Sequence, residues 1–312
     1  MEGFVIKTTG SWYKVLCGDG NAYDCRLRGS FRMKGNKSTN PIAVGDRVKF
    51  AVQESDNTGV ITEIEERKNC IVRRSTKLSK QTHVIAANID QNCLVVTLGL
   101  PRTSTGFIDR ILVTSEAYHI PAVLLFNKVD LYDDELWQYH NEVKAIYQSA
   151  GYRCIDISAK EGININEVRA LVKDKITLFT GHSGVGKSAL INAIDPELKL
   201  RVGDVSTWSM KGKHTTTFAE IFPFADGGYI IDTPGIKEFG MVNFSKEEIS
   251  HFFPEMRAVL HGCRFANCTH EHEPGCVVKQ AVEDGTISET RYQNYLNILN
   301  GREMELQEWE TK

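Results

Sequence analysis

The chain has 312 residues, 41% of them hydrophobic and 25% charged, with a formal net charge of −3. That length holds two or three domains with proper cores, and the composition is that of an ordinary soluble globular protein. No apolar run is long enough to span a bilayer, and the start, "MEGFVIKTTG", lacks the features of a signal peptide, so a cytoplasmic protein without a membrane partner is expected.

Charge is unevenly spread. Residues 1–80 carry 15 Lys plus Arg against 9 Asp plus Glu, so the rest of the chain is acidic. A basic N-terminal end points to a polyanionic partner such as nucleic acid. In the same region, short apolar runs ("GFVIKT", "WYKVLC", "DRVKFAV", "GVITEI") are separated by Gly, Asp and Asn turns. Five strands with a long basic connection, "RGSFRMKGNKSTNP", fit an OB-type barrel over residues 1–72; an SH3-like barrel has a similar pattern. Arg26, Arg28, Arg32, Lys34 and Lys37 are the candidate RNA-contacting cations, with Phe31 placed to stack on a base.

From residue 90 strands and helices alternate. "CLVVTL" (93–98) is a buried strand, followed by a helix near 108–118 and then strand "AVLLFN" (122–127). Next come a helix closed by Gly151, strand "RCIDI" (153–157), a helix near 164–172 and strand "KITLFT" (175–180). A helix starting inside "GKSALINAI" and strands "FAEIFPF" and "GYIID" complete a domain over residues 73–242. The alternation implies a mostly parallel sheet with helices on both faces and a ligand site at the C-terminal strand ends.

Residues 243–312 form a third, acidic and helical, domain. Thr286 and Glu289 have capping-box spacing ahead of its last helix, "TRYQNYLNILNG". Of eight cysteines, Cys17, Cys25, Cys70, Cys93 and Cys154 are scattered singly, as in a reducing compartment. The others form Cys263-x4-Cys268-x-His270-x5-Cys276, a closed Cys₃His set suited to structural Zn²⁺. His261 and His272 are rival imidazoles.

Three further stretches point to a nucleotide. Gly181, His182, Ser183, Gly184, Val185, Gly186, Lys187, Ser188 and Ala189 form a phosphate loop between a strand and a helix. Its glycines let backbone N–H groups close on phosphate oxygens, Lys187 would bridge the terminal phosphates, and the Ser188 hydroxyl would ligate Mg²⁺. Asn127, Lys128, Val129 and Asp130 end another strand; an Asp there accepts from N1–H and the 2-amino group of guanine, donors that adenine lacks. Ser158, Ala159 and Lys160 follow a third strand, where the Ala159 N–H could meet guanine O6. Asp232 would hold Mg²⁺ through water and the Gly235 N–H would meet the γ-phosphate, while one of Thr215, Thr216 or Thr217 could reach the ion in a switch.

The order is unusual: base, base, phosphate, switch, switch. It is the guanine-nucleotide site with the chain ends moved, a circular permutation that neighbouring termini make inexpensive. With the barrel before it and the Cys/His cluster after it, the whole chain resembles the ribosome small subunit-dependent GTPase family (RsgA, also called YjeQ or YloQ). The resemblance implies GTP hydrolysis stimulated by the 30S subunit, a role in late 30S maturation, rRNA binding, and His270 as the metal-ligating imidazole. Ile236 follows the DTPG motif near where Ras relatives carry a water-orienting Gln, so slow intrinsic turnover and activation by a large effector are expected. The alternatives are an RNA-binding assembly factor using GTP only as a switch, and a P-loop ATPase or kinase. Nothing in the sequence demands more than a monomer.

Overall fold

The computed structural model describes residues 1–27, 41–53, 58–74, 82–200, 220–232 and 244–302. Five strands come first: β1 (Glu2–Thr9), β2 (Trp12–Leu16), β3 (Ala22–Leu27), β4 (Arg47–Gln53) and β5 (Thr58–Ile64). They pair in the order β1-β2-β3-β5-β4, with β4 returning to β1 and β3 parallel to β5. This is the closed five-stranded Greek-key order of an OB-type barrel, which separates it from the SH3-like alternative. Alternating inward residues, among them Val5, Tyr13, Val15, Cys25, Val48, Phe50 and Ile61, fill its core.

A hairpin absent from the sequence reading, β6 (Cys70–Arg74) with β7 (Thr82–Ala87), follows the barrel. The expected boundary after residue 72 falls within β6. The barrel meets this hairpin at Gly45, which has φ +90° and leaves a would-be Cβ 2.0 Å from the Ala87 carbonyl oxygen. Only glycine fits there, and the close approach lets the Ala87 N–H donate to Val44 O (2.9 Å).

The alternating region forms β8 (Gln91–Val96), α1 (Thr105–Ala117), β9 (Ala122–Phe126), α2 (Asp134–Ser149), β10 (Arg153–Asp156) and α3 (Ile165–Val172). Then come β11 (Lys175–Thr180), α4 (Lys187–Ile194), β12 (Glu220–Pro223) and β13 (Gly228–Asp232). The order β10-β9-β8-β11-β13-β12 is parallel except for β12, which runs antiparallel to β13. The central strands are largely apolar because both faces are covered. Along β8, Leu94 and Val96 pack towards α1 and α2, whereas Cys93 and Val95 pack towards α3 and α4. Connections reverse direction between β8 and β11, so the loops after these strands flank a crevice at the C-terminal edge.

β12 also pairs with β1 through Lys7 and Glu220, so one eleven-stranded sheet runs through both regions. Phe4 of β1 lies against Tyr229 of β13, ring centroids 4.9 Å apart.

The C-terminal region contains α5 (Pro254–Val259), α6 (Val277–Glu283) and α7 (Glu289–Leu299), packed around Phe253, Met256, Val278, Tyr295 and Leu299 with Val113 of α1. The capping box does not form: α7 starts with Ser288 as its cap residue, while the Thr286 N–H donates to Asp284 Oδ1 (3.0 Å). A local turn on Asp284 satisfies that amide before the helix begins.

Candidate functional site

Parallel pairing brings Val96, Phe126 and Asp156, the last residues of β8, β9 and β10, to one edge, beside the end of β11 at Thr180. Asn127 joins the loops that follow. Its N–H donates to Val96 O (2.8 Å), its Nδ2 to Val185 O (2.8 Å), and its Oδ1 accepts from the Ala159 N–H (3.1 Å). Only 2% of Asn127 is exposed, so one buried amide holds three motif segments together. Lys128, in the left-handed region at φ 67°, donates from Nζ to Leu100 O (2.8 Å) and Gly184 O (2.9 Å). The base-reading and phosphate loops therefore form one unit.

Asp130 lies in a 3₁₀ turn, Val129–Leu131, whose first N–H donates to Ile157 O (3.3 Å). Its Oδ1 is buried without a hydrogen-bond donor. A buried acceptor left unpaired is costly, and a ligand N–H is what it lacks. Ser158 is fully buried and accepts the Glu161 N–H (3.0 Å). The Ala159 N–H, expected at guanine O6, is donated to Asn127 and reaches a base only as a shared donor. Lys160 is exposed and pairs with Glu161 (3.0 Å).

The phosphate loop turns on glycines. Gly181 has φ +139° with a would-be Cβ 2.2 Å from Val95 O, and Gly186 has φ +97° with a would-be Cβ 2.5 Å from Asn127 Nδ2. Side chains at either position would push the loop off β8 or the base-reading loop. Ser183 and Gly184 form the exposed tip, Val185 is buried beneath it, and Gly186 precedes α4. Lys187 Nζ donates to Gly181 O and His182 O, both at 2.7 Å. Ser188 is 6% exposed in the first turn of α4 and Ala189 half-buried beside it. A helix N-terminus with a lysine across its mouth suits a polyphosphate.

Asp232 ends β13, next to β11; its side chain lies outside what is described. Thr215, Thr216, Thr217, Gly235 and Ile236 also lie outside the described residues, as do Arg28, Phe31, Arg32, Lys34 and Lys37. Arg26 is described: it is exposed on β3, its guanidinium 3.8 Å from the centroid of the Trp12 ring.

In the C-terminal region the ligand atoms of Cys263, Cys268, His270 and Cys276 lie within 4.8 Å of one another. His270 Nδ1 is 3.3 Å from Cys276 Sγ and 3.6 Å from Cys263 Sγ, and the two sulfurs are 4.0 Å apart. Thiolates about 2.3 Å from a tetrahedral ion stand about 3.8 Å from one another, so this donor set fits a metal. Burial pushes the Cys268 thiol up to about 12, reinforced by the neighbouring Cys276 and Cys263; a cation would reverse that penalty. Burial also lowers His270, favouring the neutral imidazole a metal needs. His272 is not in the cluster and its side chain is 87% exposed; His261 is exposed too. The cluster could hold a metal ion.

Two contacts have no sequence signature. Leu100 serves through its carbonyl, which any residue has. The His182 imidazole stacks on Phe107 of α1, with ring centroids 3.6 Å apart, a pairing across 75 residues of sequence. No helix among the described residues is long and apolar enough to cross a membrane.

A mostly parallel sheet whose phosphate loop follows its base-reading loop, with a barrel before it and a Cys/His cluster after it, defines a circularly permuted P-loop GTPase. Family models agree: one described as the RsgA GTPase matches residues 64–242, and one described as the RsgA N-terminal domain matches residues 2–61. The chain belongs to the RsgA GTPase family, and it is a GTP-hydrolysing enzyme. It is 53% identical to the small ribosomal subunit biogenesis GTPase RsgA 2 of Bacteroides thetaiotaomicron, over 97% of both chains. Its identity to the corresponding Christiangramia forsetii protein is 52%, again over 97% of each. Among solved structures, YjeQ from Thermotoga maritima is similar with a TM-score of 0.80 and 37% identity, over 96% of this chain and 97% of that one. YloQ, described as a circularly permuted GTPase, has a TM-score of 0.74 and 32% identity, over 96% and 94%.

Proposed function

We propose that this enzyme binds GTP in the crevice at the C-terminal sheet edge and hydrolyses it on the small ribosomal subunit, late in that subunit's maturation. The observation that carries the guanine assignment is the buried, unpaired Oδ1 of Asp130, in a loop tied to the phosphate loop by Asn127 and Lys128. Guanine N1–H and its 2-amino group supply donors to such an oxygen; adenine would leave it unpaired. Phosphates fall to the amides of residues 181–189 and to Lys187. Ser188 and Asp232 would hold Mg²⁺, which supplies charge neutralisation on the phosphates when bound.

The small-subunit assignment rests on the relatives, which are named for small ribosomal subunit biogenesis. The barrel, with its basic connection between β3 and β4, is the rRNA-binding end, and the protein works as a cytoplasmic monomer. In the C-terminal domain Cys263, Cys268, His270 and Cys276 hold one structural Zn²⁺; four protein donors leave no open position for catalysis. Ile236 cannot polarise water, so the group that orients it comes from elsewhere in the chain or from the subunit.

The test is phosphate release from GTP and from ATP, each with and without purified 30S subunits. Turnover of GTP alone, rising about tenfold or more with 30S, is expected. Equal, unstimulated rates with both nucleotides would remove this function.

A further inference from the structure

Helix α1 is held at one point by the phosphate loop and at another by the C-terminal region. Its first turn is capped: Ser104 Oγ accepts the Phe107 N–H (3.2 Å) and Ser104 O the Ile108 N–H (3.1 Å). Phe107, 6% exposed, presents its ring to His182 with the planes 27° apart. This stack orients the second residue of the phosphate loop, whose carbonyl receives Lys187 Nζ.

Two residues further along α1, Asp109 is fully buried, and neither of its oxygens faces water. Oδ1 accepts from Arg291 Nη1 (2.5 Å) and Oδ2 from Asn294 Nδ2 (2.6 Å), both on α7. Arg291 is 1% exposed and also forks onto Glu255 of α5, Nε to Oε1 at 2.8 Å and Nη2 to Oε2 at 3.0 Å. The guanidinium lies 4.7 Å from the centroid of the Phe253 ring. Buried ion clusters of this kind add little net stability, but the planar fork of an arginine dictates how its partners are oriented. The next residue of α7, Tyr292, donates its hydroxyl to His270 O (2.6 Å). The Cys/His loop is thus joined through Tyr292, its chain neighbour Arg291 and then Asp109 to α1, and α1 is joined through Phe107 to His182.

We infer that α1 is an energetic link between the Cys/His region and the phosphate loop, with Phe107 and Arg291 as positioning residues for the nucleotide. Anything that shifts α7 relative to α1 changes nucleotide affinity, and by linkage bound nucleotide changes the hold of the C-terminal region on its partners by the same factor. The inference rests on the reading of residues 181–189 as the phosphate site.

The experiment uses the full chain and N-methylanthraniloyl-GDP, followed by fluorescence at equilibrium and by its dissociation rate. Phe107→Leu should weaken binding about fivefold or more, Phe107→Tyr, which keeps the ring, should restore it, and Arg291→Met should also weaken it. In the Phe107→Leu/Arg291→Met double variant the two losses should fall short of additivity by more than about twofold. If Arg291→Met does not fold by circular dichroism, Glu255→Gln takes its place in the cycle. Affinity within about twofold of wild type for Phe107→Leu, or strictly additive losses, overturns the link. A wild-type chain that fails to bind the probe instead overturns the phosphate-site reading beneath it.

Discussion

At Asp130 an acceptor oxygen sits under protein with no donor opposite it. Selectivity follows if the base supplies the missing donor. Asp130→Asn offers an amide N–H where guanine also has one, so GTP binding should fall about 10²-fold or more, while xanthosine triphosphate, with an oxygen at the 2-position, should become the better ligand. A competition titration of the two triphosphates decides it, and an unchanged preference for GTP would remove Asp130 from the base site. Glu273 makes a second residue-scale case. Burial alone would raise its carboxyl, but the Thr269 hydroxyl and the amides of Thr269 and Glu271 hold it down at about 2. The folded value lies below the ordinary 4.5, so this stabilisation is complete above about 4.5 and is lost as pH falls towards 2. The difference in urea midpoint between wild type and Glu273→Gln should therefore be larger at about pH 6 than at about pH 3.5. A difference that stays constant would show that the carboxylate's charge is not what stabilises the loop.

Among the elements, the joint between barrel and hairpin is the most exacting. Gly45 combines a positive φ with a would-be Cβ 2.0 Å from the Ala87 carbonyl, backbone that cannot yield without breaking the Ala87–Val44 hydrogen bond. Gly45→Ala should destabilise the protein by about 3 kcal/mol or more, read as a lowered chemical midpoint. Gly10, also at positive φ (+73°) but with open space around it, serves as control, since its alanine variant carries the conformational strain alone. Equal losses at both positions would mean that strain, not the close approach, sets the cost. β1 deserves the same physical reading: through Lys7 and Glu220 it borders β12, so the barrel's first strand extends the GTPase sheet.

For the molecule as a whole, the Cys/His cluster predicts near-stoichiometric zinc in purified protein, about one per chain. Chelation or Cys268→Ser should lower the thermal midpoint, because without a cation burial and neighbouring sulfurs disfavour the Cys268 and Cys276 thiolates. Metal-free protein with an unchanged midpoint would leave the cluster without a structural role.

Much was legible in the linear chain because its signals are local. "KITLFT" forms the strand expected over residues 175–180, since an apolar run this short, bounded by a charged turn and a glycine loop, suits a buried strand better than a helix. The motif order, and hence the permutation, also needs only residue types and spacing. The Cys₃His set is likewise short-range, though its spacing left His261 and His272 open as alternatives to His270, the imidazole that the fold brings together with the three sulfurs. What tertiary structure decided involves partners far apart in the chain: the closure of β4 on β1, the Asn127 amide joining three loops, the donation of the Ala159 N–H to that amide, and the Asp109–Arg291 pair across 182 residues. Each depends on which surfaces meet once the sheet has formed, and a hydrogen bond to a carbonyl or a buried ion pair leaves no periodicity or composition along the chain. The sequence alone determined which chemistry is present and in what order; packing determined which groups are held rigid around it.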